Sequence, residues 1–337
     1  MKRSLAMLLV LVMVLSMFAG CSKPAEEAPA TDAPAATEEP AAGETLELAF
    51  ATGGTSGTYY PLGGAISNVW NSMIDGINVT IQPAGASVEN VNRLASGEVD
   101  LALAMNNIAD QAFKGEGDSF PAALTNFHAI GVVYPEVIHV ITTKDSGIES
   151  ISDLAGKNVN PGPPGSGTYV TAMEIMKTFG IDPMADINAK PGSFSDAVAG
   201  LKDGNIDAAF AVLSFPASAV IEIGTSKDVK ILEIKGDELA KLQETVPFAA
   251  PFTITGGEYK GQDEDAQTVA LQAVLYSKDG ISEELGYNLA KVMYENTEEI
   301  AKGHARGKQI SLENALAGVT TQVHPGAAKY YEEQGIK

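Results

Sequence analysis

The chain has 337 residues, 45% of them hydrophobic, which is enough for one large domain or two medium ones with buried cores. Its 22 basic residues stand against 43 acidic ones, a net charge of −21, and the sequence contains no basic stripe that would bind nucleic acid. One cysteine and four dispersed histidines exclude an internal disulfide and a zinc-ligand cluster, and no motif predicts a metal or cofactor.

The first residues have the order of an export signal. A positively charged start precedes the apolar run 5–18, which is too short to cross a bilayer comfortably, and small residues stand directly before Cys21. The segment 17–21, MFAGC, resembles the lipobox of bacterial lipoproteins. This resemblance implies that residues 1–20 are a signal peptide and that Cys21 is lipidated, which would anchor an extracytoplasmic protein to the cell membrane. A plain secretory signal is the alternative.

The next segment, residues 21–44, is rich in alanine, proline and acidic residues after the cysteine and has no large apolar side chain. Such a composition cannot bury enough surface to offset the entropy lost on ordering. We therefore expect a disordered tether between the lipid anchor and a body that begins at residue 45. No later stretch is apolar for 18 residues, so the body is not predicted to cross the membrane.

The body alternates strand-like and helix-like segments. A strand is predicted over 46–51, a loop of glycine, serine and threonine over 52–58, and a helix over 59–73. The same order of elements recurs about 110 residues later, with a similar loop over 161–168. This alternation is typical of a parallel α/β architecture.

Two short motifs occur twice in the same order. Ser56-Gly57-Thr58 is repeated as Ser166-Gly167-Thr168, and the segment 97–104, GEVDLALA, is matched by 204–211, GNIDAAFA. Two repeats at nearly the same offset predict two similar α/β lobes rather than a solenoid, which would need more and shorter periods.

The lobes are expected to be discontinuous in sequence. Lobe one is predicted to comprise residues 45–137 and 275–337, and lobe two residues 138–274. The strand-like runs near 132–140 and 268–276 are predicted to cross between them.

The two glycine- and hydroxyl-rich loops predict a binding cleft between the lobes. In open parallel sheets, ligands bind beyond the carboxyl ends of strands, where helix N-termini present unpaired N–H groups. Glycine lets the backbone approach a ligand, and the hydroxyls of Ser56, Thr58, Ser166 and Thr168 can either cap their helices or bind an oxyanion.

The sequence argues against catalysis. Ser56 departs from the G-x-S-x-G nucleophile motif because Thr58 replaces the second glycine, and Ser166 lacks that spacing. Each of the four histidines has a context that favours a structural role. We therefore predict that the protein is not an enzyme, and a hydrolase or transferase on a two-lobed scaffold is an alternative from another class.

The segment 51–63, ATGGTSGTYYPLG, closely resembles the opening of the TAXI family of solute receptors, the extracytoplasmic binding proteins of TRAP transporters. Further similar blocks follow in order at 87–90, 97–104, 153–157, 162–168, 204–209 and 324–327. The resemblance implies the type II periplasmic-binding-protein fold, with two α/β lobes around a central ligand cleft, and delivery of a small solute to a TRAP-type membrane permease. An ABC-type receptor of the same fold is the alternative.

The same resemblance, with the loop and wall residues beside it, gives the predicted ligand-binding set. Its members are Gly54, Thr55, Ser56, Tyr59, Ser87, Asn106, Pro163, Gly165, Ser166, Gly167, Thr168 and Phe215. The chain departs from the family pattern at 105–107 and 252–259, which leaves the identity of the solute open. We expect a monomer that binds an anionic or zwitterionic solute, a carboxylate or an amino acid such as glutamate. Helix N-termini would hold it without an arginine clamp, because Arg93 and Arg306 lie outside the predicted loops.

Overall fold

The computed structural model describes residues 45–337 and contains ten β-strands and ten α-helices in this range. The predictions for the signal peptide, Cys21 and the tether lie outside the described residues. The strands are β1 (Leu46–Ala51), β2 (Ile77–Gln82), β3 (Leu101–Met105), β4 (Phe127–Thr143), β5 (Asn158–Asn160), β6 (Asn188–Ala189), β7 (Ala208–Leu213), β8 (Val229–Ile231), β9 (Ala250–Ile254) and β10 (Ala266–Lys278). The helices are α1 (Tyr59–Met73), α2 (Ser87–Ala95), α3 (Asn106–Lys114), α4 (Gly167–Thr178), α5 (Phe194–Asp203), α6 (Ser218–Ile223), α7 (Gly236–Thr245), α8 (Glu283–Glu295), α9 (Thr297–Gly303) and α10 (Pro325–Glu333).

All ten strands belong to one mixed sheet. Its main order is β2-β1-β3-β10-β4-β7-β5-β6, with β8 beside β4 and β9 beside β10. β1 runs parallel to β2 and β3, and we call these three the first strand group. β5 runs parallel to β6 and β7, which form the second strand group. The repeated strand, loop and helix units of the sequence therefore lie in separate parts of the sheet.

The antiparallel strands β4 and β10 connect the two groups. β10 pairs with β3 over 273–277 and with β9 over 266–270. β4 pairs with β7 over 137–142 and with β10 along its first half. β10 thus joins the first strand group and β4 the second, near the runs predicted to cross, and the exact lobe boundaries stay a prediction.

The central strands are apolar because helices cover both faces of the sheet. Every residue of β3 (LALAM) and β7 (AAFAVL) is buried, as expected for parallel strands packed on both sides. On α1, Leu62, Ile66 and Trp70 recur at helical spacing and are fully buried against the sheet and α8. No helix within residues 45–337 is long and apolar enough to span a bilayer.

The second repeated motif forms the same structure twice. Gly97 and Gly204 both adopt a φ of 75°, a left-handed conformation that favours glycine. Three residues later, Asp100 Oδ2 accepts a hydrogen bond from the backbone N–H of Ala49 at 2.7 Å. The equivalent Asp207 Oδ2 accepts one from Asn158 at 2.8 Å. Each aspartate therefore fastens the loop before its strand to the first strand of its own group.

Candidate functional site

A cavity of about 240 Å³ lies between the two strand groups. The loops that follow β1, β2 and β5 form its walls, together with Met105 at the end of β3 and the start of α5. Tyr134 and Glu136 of the connecting strand β4 line it from the middle of the sheet. This is the location at which open α/β sheets bind ligands.

Five helix N-termini meet at the cavity. The first residues of α1, α2, α4 and α5 line it, and so does Met105, which precedes α3. Helix N-termini carry unpaired N–H groups and the positive end of the helix dipole. Within residues 45–337, the lining contains no lysine or arginine. Positive potential at the cavity therefore comes from backbone N–H groups and not from basic side chains.

Eight of the twelve residues predicted from the sequence line this cavity. They are Gly54, Ser56, Tyr59, Ser87, Pro163, Ser166, Gly167 and Thr168. The structure does not bring Thr55, Asn106, Gly165 and Phe215 to the lining. Contact with a solute stays a prediction for all twelve.

The four other residues have different environments. Thr55 is exposed to solvent. Asn106 begins α3, and its side chain accepts from Gln272 N and donates to Gly318 O, both at 3.1 Å. These contacts fix the amide away from the cavity, so the expectation that Asn106 reaches a solute is not supported by its position.

Gly165 and Phe215 contribute to contacts around the cavity instead. The carbonyl of Gly165 accepts a hydrogen bond from Glu89 N at 3.2 Å, which joins the second half of the molecule to α2. The Phe215 ring packs edge-on against Phe252 and Tyr259, with centroids 5.7 and 5.8 Å away. Phe215 is therefore part of an aromatic cluster behind the cleft.

The cleft is closed. Besides the contact at Gly165, Gln111 Nε2 of α3 donates to Glu174 Oε1 of α4 at 3.0 Å. Near the start of α1, Thr58 Oγ1 lies 3.2 Å from Ser214 Oγ. Contacts between the halves thus occur at several places around the cavity.

The hydroxyl of Ser166 caps its own helix. Its Oγ accepts from the backbone N–H of Tyr169 at 3.0 Å and donates to the carbonyl of Pro163 at 2.6 Å. The single hydroxyl proton is thus held by a carbonyl, and no histidine of residues 45–337 lines the cavity to remove it. This arrangement does not activate Ser166 as a nucleophile.

Glu136 is the functional candidate that the sequence analysis missed. It is 3% exposed and lines the cavity. Its Oε2 accepts from the Tyr59 hydroxyl at 2.8 Å, and its Oε1 accepts from Tyr134 at 3.4 Å. Burial raises the pKa of Glu136 to about 8, although the two phenol hydrogen bonds act in the opposite direction. The available signal was a lone acidic residue within the apolar run 129–141.

Arg306 lies close to the cleft but outside the cavity lining. Its Nη1 and Nη2 donate to the carbonyls of Phe215 and Pro216 at 2.8 and 2.7 Å. The guanidinium therefore links the C-terminal part of the chain to the loop after β7.

Residues 50–335 match the model of the NMT1-like family. The chain belongs to the NMT1-like family. One similar solved structure comes from work on glutathione import in Gram-positive bacteria via GshT and the cystine ABC importer TcyBC of Streptococcus mutans. It is 12% identical in sequence to this NMT1-like protein and superposes with a TM-score of 0.51. The match covers 79% of this chain and 97% of the other chain.

Two sulfonate-binding proteins are also similar. The alkanesulfonate-binding protein SsuA of Xanthomonas axonopodis pv. citri, bound to MOPS, has 16% identity over 86% of this chain and 85% of its own, with a TM-score of 0.47. The periplasmic aliphatic sulphonate binding protein SsuA of Escherichia coli has 17% identity over 86% and 83%, with a TM-score of 0.48.

At these identities the likeness concerns the fold alone. The predicted fold class is confirmed: the NMT1-like chain has the α/β periplasmic-binding-protein fold, with two lobes around a central cleft. The narrower assignment to the TAXI family stays a prediction.

Proposed function

We propose that this protein is an extracytoplasmic solute receptor. It binds a small carboxylate or amino acid, with glutamate as the first candidate, by closure of two lobes, and it delivers the solute to a membrane permease. The observation that carries the proposal is the closed cavity at which five helix N-termini converge without a lysine or arginine in the described lining.

The electrostatics of the cavity support an anionic group on the solute. Free N–H groups at helix N-termini bind a carboxylate without a charged side chain, and several converging helices strengthen the effect. The net charge of −21 repels anions from a distance. Salt screens that repulsion beyond about 8 Å, so the local donors decide the affinity.

The partner we propose first is an ABC-type permease. The family match and the likeness to a structure described with an ABC importer favour this alternative over a TRAP permease. The TAXI-like sequence blocks support a TRAP permease as the second candidate. An ATPase gene beside this one would favour the first, and a gene for a large TRAP permease would favour the second.

The receptor is proposed to act as a monomer without turnover, held at the outer face of the cell membrane through Cys21. The engaged hydroxyl of Ser166 supports binding rather than hydrolysis. Formation of product from a bound solute, and its loss in Ser166→Ala, would favour a hydrolase or transferase instead.

The test starts with mass spectrometry of small molecules released from the purified protein, followed by calorimetry with L-glutamate and 2-oxoglutarate. Thr168→Ala removes a buried hydroxyl from the lining and is expected to weaken binding roughly 5- to 150-fold. Thr178→Ala, at the other end of α4, is the matched control and should bind normally. Equal affinity in both variants, or release of an uncharged sugar, would contradict the proposal.

A further inference from the structure

Glu136 is an unusual residue for a cavity that attracts anions. It is the one carboxylate in the described lining, and the lining holds no cationic side chain to pair with it. A buried charge without a partner is costly. The presence of this side chain on β4, at the middle of the sheet, therefore requires a chemical role.

The neighbours of Glu136 supply hydrogen bonds but no charge. Tyr59 reaches it from α1 and Tyr134 from β4, and burial raises the pKa of both phenols, so both remain neutral donors. On β10, the residue paired with Glu136 is Leu271. On the side of β7, the lining residue is Val212.

Two basic side chains in this region, Arg306 and His139, are directed to other partners. Arg306 donates hydrogen bonds to two backbone carbonyls. Its charge acts to lower the pKa of the Tyr134 and Tyr259 phenols, against the larger effect of burial. His139 bonds Tyr259 and the Val137 carbonyl, and burial lowers its pKa to about 4, so it is uncharged. Neither group compensates a charge on Glu136.

Two carboxylates cannot both be ionised in one small, enclosed site without strong repulsion. If the solute brings a carboxylate to the helix N-termini, the least costly solution is a proton on Glu136. The oxygens differ in a way that suits this: Oε2 accepts a short bond from Tyr59, whereas Oε1 lies 3.4 Å from the Tyr134 hydroxyl. Oε1 is therefore the oxygen that carries the proton.

We propose that Glu136 is a solute-binding residue that acts as a protonated acid, donating its O–H to the solute's carboxylate, so that the complex always carries one proton on Glu136, taken from the solvent when the free residue is ionised. This inference rests on the proposed function. It adds a specificity determinant, because a neutral acid accepts an anionic group that an ionised Glu136 would repel.

The pKa of Glu136 in the absence of solute determines the pH range in which binding takes up a proton. Burial raises the pKa of Glu136 to about 8. Below that pH the residue is already protonated and binding takes up little. Above it the residue must gain a proton when the solute binds, so affinity falls about tenfold for each further pH unit.

The experiment is calorimetry with 2-oxoglutarate, which has no ammonium group, in buffers of low and high ionisation enthalpy at pH 6.5 and 9. Wild-type protein is expected to take up close to one proton at pH 9 and almost none at pH 6.5. Glu136→Gln should take up none, and its affinity should change by less than about threefold between the two pH values. Glu244→Gln is the control, because it removes the same charge from an exposed position on α7, outside the lining and away from the contacts across the cleft; it should behave as wild type.

Binding without proton uptake in the wild type would overturn the inference and leave the proposed receptor intact. Calorimetry with L-glutamate can give the opposing result. If wild-type protein binds L-glutamate more tightly as pH rises from 6.5 to 8, and Glu136→Gln lowers the affinity at least about tenfold, an ionised Glu136 pairs with the solute's ammonium group. That result would overturn the inference. Failure of both probes to bind at either pH would contradict the glutamate-like solute class and the inference with it.

Discussion

The two repeated motifs of the chain differ in how closely their copies agree in structure. In the copies at 97–104 and 204–211, the same aspartate accepts the same kind of backbone hydrogen bond, through Asp100 to Ala49 and through Asp207 to Asn158. In the Ser-Gly-Thr loops, the hydroxyls described above stand at different positions of the tripeptide: the serine of one copy, Ser166, caps its helix, and the threonine of the other, Thr58, contacts Ser214. A repeat that is bonded within its own half keeps its role, whereas a repeat at the cleft is changed by the opposite half.

The loops differ first in where the helix begins. α4 begins at Gly167, and Ser166 caps it. When the two tripeptides are aligned, α1 begins two residues later than α4, at Tyr59. The side chain of Thr58, the residue before α1, forms no capping hydrogen bond. Thr58 instead contacts Ser214 of the other half, at 3.2 Å between the two hydroxyl oxygens. The same tripeptide therefore stabilises one helix in one copy and the closed cleft in the other.

The largest expected effect tests the repeated motif at 97–104 and 204–211, whose two copies have the same structure. Asp100→Ala and Asp207→Ala should each lower the free energy of unfolding by about 1–3 kcal/mol, because each leaves a backbone N–H without its carboxylate. Equilibrium unfolding in urea measures this. Asp203→Ala, an exposed position at the end of α5, should change stability by less than about 0.5 kcal/mol. A large cost for only one of the two aspartates would break the equivalence.

The next largest effect concerns the glycines of the two Ser-Gly-Thr loops, whose copies differ in structure. A Cβ on Gly167 would lie 2.3 Å from Met105 Sδ and 2.9 Å from Ser87 Oγ. On Gly57 it would lie 3.2 Å from the Phe194 ring, a contact that a small shift relieves. Gly167→Ala should therefore weaken solute binding by at least about tenfold and Gly57→Ala by about threefold or less, as measured by calorimetry.

Because these clashes arise across the cleft, opening it would relieve them. Unfolding curves of both glycine variants should stay close to wild type. The comparison fails if the two alanine variants lose affinity equally.

The smallest effect separates the two hydroxyls. Ser166→Ala should cost about 1 kcal/mol of stability because it removes an N-cap. Thr58→Ala should cost below about 0.5 kcal/mol, because α1 does not use it as a cap and opening of the cleft returns Ser214 to water. Ser166→Asn, which keeps a capping oxygen, should restore most of the stability in the same urea measurement. Equal losses in the two alanine variants would contradict the different roles given to these two hydroxyls.

Local patterns were sufficient for much of the fold. The strand 46–51 and the helix 59–73 were predicted at the residues where β1 and α1 occur, because alternation, turn residues and helical spacing are local signals. The second loop was predicted over 161–168, but α4 already begins at Gly167 because Ser166 caps it.

Long-range contacts explain what was missed at the site. Asn106 belongs to the predicted ligand-binding set, but its amide hydrogen-bonds the backbone at Gln272 and Gly318, which are more than 160 residues away in sequence. Glu136 could not be predicted from its neighbours in sequence, because its environment depends on the hydrogen bond from Tyr59, which lies 77 residues away, together with the one from Tyr134. Neither arrangement is encoded in neighbouring residues.

The unbroken course of β4 and β10 has a consequence for thermal denaturation. β10 is hydrogen-bonded to the first strand group, β4 is hydrogen-bonded to the second, and the two strands pair with each other, so melting of either group would remove hydrogen bonds from a strand that the other group needs as a neighbour. Partial melting is therefore penalised, and heat should unfold residues 45–337 in one cooperative calorimetric transition. The lobes that move separately in binding would then be a single unit in folding.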